Sequence, residues 1–160
     1  MTAPDDEPRW LDTERLVAWR RFVAVVELVP GVLDSQLRRD AHLTHFEYLS
    51  LAMLSEAADS SLRMSELAAE TNSTLPRLSH VVSRLESRGL VERATAVRDR
   101  RSTNVRLTEA GWEKVVATAP GHAATVREYV IDPLDDDDIA DLARIASKML
   151  ERLDPDGRMH

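Results

Sequence analysis

Hydroxyl side chains and arginines recur between residues 73 and 84, at a spacing that places them together on one side of a helix. The apolar residues Leu78, Val81, Val82 and Leu85 form a separate stripe that is suited to burial. Hydroxyl, imidazole and guanidinium groups match the donors and acceptors of base edges in the major groove of duplex DNA. The candidate groove-facing residues are Ser73, Thr74, Pro76, Arg77, Ser79, His80, Ser83 and Arg84.

A second basic group follows within a predicted hairpin. Leu90–Arg93 and Thr103–Leu107 have the composition of two short strands, and we expect Asp99–Ser102 to form the turn between them. Arginines at such a tip can enter a narrow minor groove, where the negative potential is strongest. The candidates here are Arg98, Asp99, Arg100, Arg101 and Ser102, and Ser65 of a preceding short helix is added to them.

The charge distribution agrees with a nucleic-acid partner although the whole chain carries −7. Residues 72–106 hold eight arginines against Glu86, Glu92 and Asp99, a net charge of +5, which leaves −12 for the remainder. We interpret this asymmetry as one basic face on an acidic body. An ordinary solvated charged surface is the simpler alternative.

The elements that must position these residues are mainly helical. Apolar positions from Thr13 to about Arg39 repeat at helical spacing, and Pro30-Gly31 predicts a kink or a break there. Four further helices are predicted by their caps: one from Thr44 with Glu47 as a capping box, one from Ser65, one from Thr74 to Gly89, and one from Thr108 to about Val130 with a break at Pro120-Gly121. Asp135–Asp138 opens a last helix to Leu153, and these carboxylates are favoured by the positive end of its dipole.

Two short helices joined by a tight turn and followed by a basic hairpin form the winged helix-turn-helix pattern. We therefore predict a mainly α fold with a small β wing of two or three strands.

Several function classes find no support. The chain lacks cysteine, a phosphate-binding glycine loop and a nucleophile elbow, so we expect no enzyme, no cofactor and no thiolate metal site. His42 and His45 are three residues apart but straddle a helix start, which leaves a metal-responsive regulator as a weak alternative. Met1–Pro8 lacks the apolar run of a secretory signal, and no apolar stretch is long enough to span a bilayer, so we expect a cytoplasmic protein without a membrane partner.

Residues 64–111 closely resemble the MarR family of bacterial transcriptional regulators. The resemblance lies in Met64–Ala68, in the run Val82–Arg93, in Asp99–Ser102 and in Val105–Gly111. The order and length of the remaining helices extend it to roughly Leu11–Leu153.

The resemblance implies a homodimer that binds a pseudo-palindromic operator in double-stranded DNA, with half-sites about one helical turn apart. It implies dimerisation helices in residues 11–42 and 109–153, a winged helix-turn-helix in 43–108, and disordered tails at 1–10 and 154–160. By the same resemblance, Asp99 and Arg101 fill the family's wing motif of aspartate, any residue, arginine. Arg101 would enter the minor groove, and Asp99 would orient it or a neighbouring arginine.

Members of this family often respond to small aromatic or anionic effectors that bind where the dimerisation helices meet the DNA-binding lobe. By resemblance, the residues that would line such a cleft are Trp19, Arg20, His45, Tyr48 and Trp112, although core or interface packing explains the tryptophans equally well. The implied function is a repressor that an effector relieves.

One stretch departs from the family. Relatives often start the recognition helix with a serine-arginine-serine-like sequence, whereas this chain has Thr74-Leu75-Pro76-Arg77. Leu75 cannot donate to a base or phosphate, so the base preference is open. A winged-helix module that binds protein instead of DNA is the remaining alternative.

Overall fold

The structure, a computed structural model, describes residues 8–96 and 99–159, with the backbone alone for residues 95, 96 and 99–102. Contacts divide the chain into two compact units, with the division between Val32 and Leu33. The described residues are mostly helical with one small antiparallel sheet, which confirms the predicted fold class.

The elements follow one another along the chain without an internal repeat. They are α1 (Thr13–Ala41), α2 (His45–Glu56), β1 (Ser61–Arg63), α3 (Met64–Glu70), α4 (Leu75–Ser87), β2 (Val91–Ala96), β3 (Asp99–Leu107), α5 (Glu109–Val126) and α6 (Asp136–Leu153). A short 3₁₀ turn at Ala58–Ser60 precedes β1, and a π-helical turn at Arg127–Ile131 follows α5.

The break predicted at Pro120-Gly121 is wrong, and so is the break, one of the two options predicted, at Pro30-Gly31. Both α1 and α5 continue through their prolines, Pro30 and Pro120, as single helices. A proline inside a helix lacks one backbone N–H donor and destabilises the helix by about 3 kcal/mol, but the lost hydrogen bond is confined to that one position. The turns on either side keep their hydrogen bonds, so each helix extends past its proline.

The first unit is the N-terminal part of α1 and has a largely apolar surface. The rings of Trp19 and Phe22 lie 6.4 Å apart between centroids. The exposed large apolar side chains of this part are Val17, Trp19, Phe22, Val25, Val26 and Leu28. Six exposed large apolar residues within twelve positions form a patch of the kind that marks an interaction site.

The second unit contains a closed hydrophobic core built by every element from the end of α1 to β3. The fully buried side chains are Leu37, Leu43, Leu51, Leu54, Leu67, Leu78, Val82, Leu85, Val91 and Val105. The predicted stripe of α4 is part of this core. We call the part of this unit from Leu33 to α5 the lobe.

The wing sheet has the strand order β1-β3-β2, and all pairs are antiparallel. The third strand, β1, was predicted only as an option, because three residues give too short an alternating pattern. Leu62 of β1 pairs with Val105 of β3, and Val91 of β2 pairs with Leu107. The base of the hairpin, which is the start of β2 and the end of β3, is therefore anchored in the lobe core.

The last helix, α6, differs from the others because none of its residues is buried against the described chain. Its start is as predicted: the Asp135 side chain accepts a hydrogen bond from the Asp138 N–H at 2.9 Å. Its exposed apolar residues are Leu142, Ile145, Met149, Leu150 and Leu153. Among the described residues, no helix combines the length and apolar character needed to cross a bilayer.

Candidate nucleic-acid interface

The turn between α3 and α4 sets the direction of α4. Thr71 is buried, and its hydroxyl donates to the Leu67 carbonyl at 2.6 Å. Asn72 adopts φ of +45°, and the Ser73 N–H donates to the Ala68 carbonyl at 2.8 Å. These local bonds satisfy the carbonyls at the end of α3 and fix the angle at which the chain enters the next helix.

Helix α4 begins and ends as its sequence predicts. The Thr74 hydroxyl accepts the Arg77 N–H at 3.4 Å, and Pro76 stands in the first turn, where an N–H has no intrahelical partner. Gly89, at φ of +71°, follows the C-terminal residue Arg88 in the left-handed conformation that favours glycine. The rigid element between these ends presents three distinct surfaces beside its buried stripe.

The outward surface of α4 faces solvent. At about 100° per residue, Pro76, His80, Ser83 and Ser87 lie opposite the buried stripe, and all four are exposed. Their side chains are short or carry a single ring. A backbone that carries small side chains can approach base edges closely, which a groove-reading helix requires.

One edge of this surface carries Arg77, Arg84 and Arg88, which we call the arginine flank. The three residues are separated by seven and four positions and therefore share one side of the helix. The Arg77 guanidinium carbon lies 4.4 Å from the centroid of the Phe46 ring. Arg84 forms a salt bridge with Glu47 at 3.0 Å, and Arg88 approaches the same carboxylate at 4.0 Å. Contacts with α2 thus hold this row of cations in place.

The opposite edge carries Ser79, Ser83 and Glu86, which we call the serine flank. Arg93 of β2 joins this flank to the wing: its N–H and Nη1 donate to the Glu86 carboxylate at 3.0 and 2.9 Å, and its Nη2 donates to the Ser79 carbonyl at 2.9 Å. The same Nη2 also donates to the Ser83 hydroxyl at 3.1 Å. This network fixes the wing relative to α4 and occupies polar atoms of both serines.

Sequence reasoning missed the role of Arg93. The residue was predicted only as a strand position, because its partners lie up to 14 residues away. A signal for this network was available in the sequence. Ser79, Ser83 and Glu86 share one side of a predicted helix, and an arginine follows them in the next predicted strand. Its planar fork suits several acceptors at once.

The wing differs from its prediction. Asp99 to Ser102 belong to β3 and do not form a turn, since Asp99 pairs with Ala96. Backbone pairing with β2 outweighs the weak strand preference of these residues. Arg98 lies outside the described residues, and for Asp99, Arg100, Arg101 and Ser102 only the backbone is described, so their DNA contacts stay a prediction.

Ser65 is not the cap of α3. The helix starts at Met64, one residue earlier, and Ser65 is an exposed residue of its first turn. The Glu66 carboxylate accepts the Arg63 N–H at 3.0 Å, which makes Arg63 the first flanking residue. Ser65 is exposed, and its contact with DNA stays a prediction.

The proposed effector residues do not form one cluster in the second unit. Trp19 and Arg20 belong to the first unit, and both are exposed. Trp112 lies at the start of α5 beside Asp59 and Arg106, where it lines a shallow surface cavity. Only His45 and Tyr48 come together, on α2.

His122 of α5 completes this small cluster, and no local pattern relates it to His45 and Tyr48. Its ring lies 4.7 Å from the Tyr48 ring and 6.4 Å from the His45 ring, between centroids. Burial lowers the pKa of both histidines and raises that of Tyr48. The His122 Nδ1 and the Gln36 Oε1 are buried and have no hydrogen-bond partner among the described residues.

The two histidines considered for metal binding diverge. His45 faces His122, whereas His42 adopts φ of +54° and borders a groove beside Arg38. In the described part of the chain, no three or more histidine, aspartate or glutamate side chains form a group that could hold a metal ion.

Comparison with known proteins agrees with this geometry. A family model described as MarR family matches residues 43–102. Sco3205 of Streptomyces coelicolor, a MarR family transcriptional regulator solved in complex with DNA, is 40% identical, with 94% of each chain covered and a TM-score of 0.89. AbsC of Streptomyces coelicolor, also a MarR family transcriptional regulator, is 36% identical, covering 91% of this chain and 98% of its own, with a TM-score of 0.86.

A curated relative agrees with the two structures. The uncharacterized HTH-type transcriptional regulator YdcH of Bacillus subtilis (strain 168) is 26% identical over 121 residues, which are 74% of this chain and 75% of the relative. The matched proteins are transcriptional regulators, and the two structures match over nearly the whole length of this chain. The chain therefore belongs to the MarR family of transcriptional regulators.

Proposed function

We propose that this protein is a sequence-specific regulator that binds an operator in duplex DNA as a homodimer. The observation that carries the proposal is the outward surface of α4. It is exposed, built of small side chains, and bordered by anchored arginines on one edge and by the wing on the other. Sco3205, which is 40% identical, was solved in complex with DNA, and this supports DNA as the partner.

The three surfaces of α4 suggest a division of roles. Thr74, His80 and Arg77 are the best candidates for base contacts, because they are exposed near the N-terminal half of the helix. Ser79 and Ser83 are already bonded to Arg93, so they serve more in positioning than in reading. The wing residues Arg98, Arg100 and Arg101 would supply the minor-groove contacts.

Dimer formation would cover many of the apolar residues that the single chain leaves exposed. Most of those residues lie in the first unit and on α6, with others, such as Val116 and Tyr129, on α5 and the turn that follows it. We assign residues 11–42 and 109–153 to dimerisation and residues 43–108 to DNA binding. Two copies related by a twofold axis would read the two halves of a pseudo-palindrome.

Repression by occlusion of a promoter is the simplest consequence of operator binding, and we expect a small aromatic or anionic effector to relieve it. The buried and unpartnered atoms of His122 and Gln36 beside Tyr48 support a polar ligand contact between α1, α2 and α5. Such a ligand would act by binding one dimer conformation better than another. We further propose that the protein acts in the cytoplasm and catalyses no reaction.

The proposal is tested by selecting bound fragments from genomic DNA and titrating the best duplex by fluorescence anisotropy at physiological salt. Arg101→Ala should weaken binding about tenfold or more without changing the thermal melt, since each chain of the dimer loses one minor-groove arginine. Arg9→Ala, at an exposed position outside residues 11–42 and 109–153, is the control and should bind as the wild type does. Absence of binding to every fragment at low salt, including the promoter of its own gene, would favour a protein-interaction module.

A further inference from the structure

A groove beside α4 has features that the proposed base and wing contacts do not use. It runs between the end of α1, the start of α2 and the C-terminal half of α4. Arg38, His42, Thr44, Glu47, Arg84 and Arg88 line it. We call it the arginine groove.

The charges of the arginine groove are layered. The Glu47 side chain is 7% exposed and forms the floor, whereas the side chains of Arg38, Arg84 and Arg88 are 61%, 60% and 36% exposed. The Glu47 Oε2 accepts the Thr44 N–H at 2.7 Å, and its Oε1 lies 3.0 Å from an Arg84 nitrogen. A buried anion thus fixes a cationic rim, and the carboxylate is shielded from an approaching ligand.

Arg38 is fixed by a second carboxylate. It bonds Asp34 at 2.5 Å, and the other Asp34 oxygen accepts the His45 N–H at 2.8 Å. This backbone bond and Arg38 lower the pKa of Asp34. Asp34 therefore stays ionised at neutral pH, and Arg38 is held in position with most of its surface in solvent.

We propose that the arginine groove binds phosphodiester groups of the DNA strand that borders α4. This inference rests on the proposed function, because a helix in the major groove has a phosphate backbone along each side. The serine flank is joined to the wing, whereas the arginine flank opens directly onto the groove. Guanidinium groups match phosphate geometry and form strong charge-assisted hydrogen bonds.

The test compares the variant Arg38→Gln/Arg88→Gln with the wild type. Arg84 and Glu47 stay in place, so the α2–α4 salt bridge is kept. Anisotropy titrations of the selected duplex and a scrambled duplex are run from about 50 to 300 mM salt. The dimer carries two such grooves, so the variant loses about four phosphate contacts. Because each lost contact lowers the salt slope by about one, the slope of log K against log salt should fall by about four. Affinity should fall on both duplexes by the same factor, about tenfold or more at physiological salt, because phosphates carry no sequence information.

The control is Arg9→Gln/Arg158→Gln, which removes two exposed arginines outside the groove and outside residues 11–42 and 109–153, and should leave the slope unchanged. An unchanged slope in the groove variant, while the wild type binds, overturns this inference and leaves the proposed function standing. Failure of the wild type to bind any duplex overturns both.

A further titration separates DNA from a small phosphorylated ligand. Inorganic pyrophosphate is titrated into the free protein by calorimetry. If pyrophosphate binds the wild type but not the groove variant, while both have the same DNA salt slope, the groove serves a free phosphate compound and the DNA assignment is wrong.

Discussion

The lobe and α6 belong to the same compact unit, but the lobe buries most of its apolar residues whereas α6 leaves its apolar residues exposed. The lobe buries most of its leucines and valines, with Leu37, Leu51, Leu67 and Leu85 inaccessible to solvent. Helix α6 is equally amphipathic, yet none of its residues is buried. An isolated helix of 18 residues gains little from propensity alone, so we expect a second copy of the chain to cover the apolar stripe of α6.

The lobe core and the α6 stripe therefore have different roles, the first in the stability of the fold and the second in assembly. Core substitutions in the lobe should act on folding, whereas substitutions on the α6 stripe should act on the number of copies in the complex. DNA affinity should depend on both folding and dimer formation. Once one chain of a dimer is bound, the second chain is held close to its half-site, and a monomer lacks this gain in effective concentration.

The largest effect is expected from Ile145→Asp, which places a charge in the exposed stripe of α6. We expect the dimer to become a monomer by light scattering, and affinity for a two-half-site duplex to fall about 100-fold or more. Ala140→Asp introduces the same charge on another side of α6 and should remain dimeric. A dimeric Ile145→Asp protein with full affinity would show that α6 does not hold the copies together.

The next effect concerns the lobe. A Cβ on Gly111 would lie 2.0 Å from the Leu90 carbonyl oxygen and 2.8 Å from the Leu107 Cδ1, so α5 and the wing strands must separate. Gly111→Ala should lower the free energy of unfolding by roughly 1–3 kcal/mol. In a protein of this size, each kcal/mol lost should lower Tm by roughly 2–4 °C. Circular dichroism melts provide the measurement.

The control for this prediction is Gly31→Ala. A Cβ there meets no atom within 4 Å, and Gly31 lies inside α1, so alanine should raise helix stability by up to about 1 kcal/mol. Equal melting temperatures for the two variants would contradict the close approach of α5 to the wing.

The smallest effect is a pH dependence confined to the lobe. Burial lowers the pKa of His45 and His122 below the ordinary value of 6.5, while Asp34 partly opposes the shift of His45. The unfolded chain therefore binds protons more readily, and the free energy of unfolding should fall as the pH drops below about 6.5. Asp34, whose pKa is lowered from 3.8, acts only in more acidic solution.

Urea unfolding at pH 7, 6 and 5 measures this effect. His122→Phe keeps a ring against Tyr48 without a titratable group and should make the decline shallower. His80→Asn, at an exposed position, should leave it unchanged. If the free energy of unfolding falls as steeply with pH in His122→Phe as in the wild type, groups other than His122 cause the pH dependence.

Local physics explains what the sequence allowed us to predict. The caps at Thr44, Thr74, Thr108 and Asp135 are all present, because each side chain bonds an N–H three residues ahead. The buried stripe of α4 follows from spacing alone. The same periodicity placed exposed, polar candidates on the outward surface of α4.

The rest depends on contacts between distant parts of the chain. The pairing of Ser61 with Arg106, the Arg93 network and the His45–Tyr48–His122 cluster join residues that no local pattern relates. The early start of β3 has the same origin, since its first residues gain ladder bonds with β2. The anchoring of Arg84 by Glu47 was hidden because the capping role of Glu47 already explained that residue.

The most direct test of the central claim is a hydroxyl-radical footprint of the wild-type protein on its selected operator. The account predicts two protected half-sites with centres about 10 base pairs apart, on one face of the duplex, at a stoichiometry of two chains. A single protected half-site bound by one chain, or uniform protection without preferred positions, would contradict a dimeric regulator that reads DNA with α4.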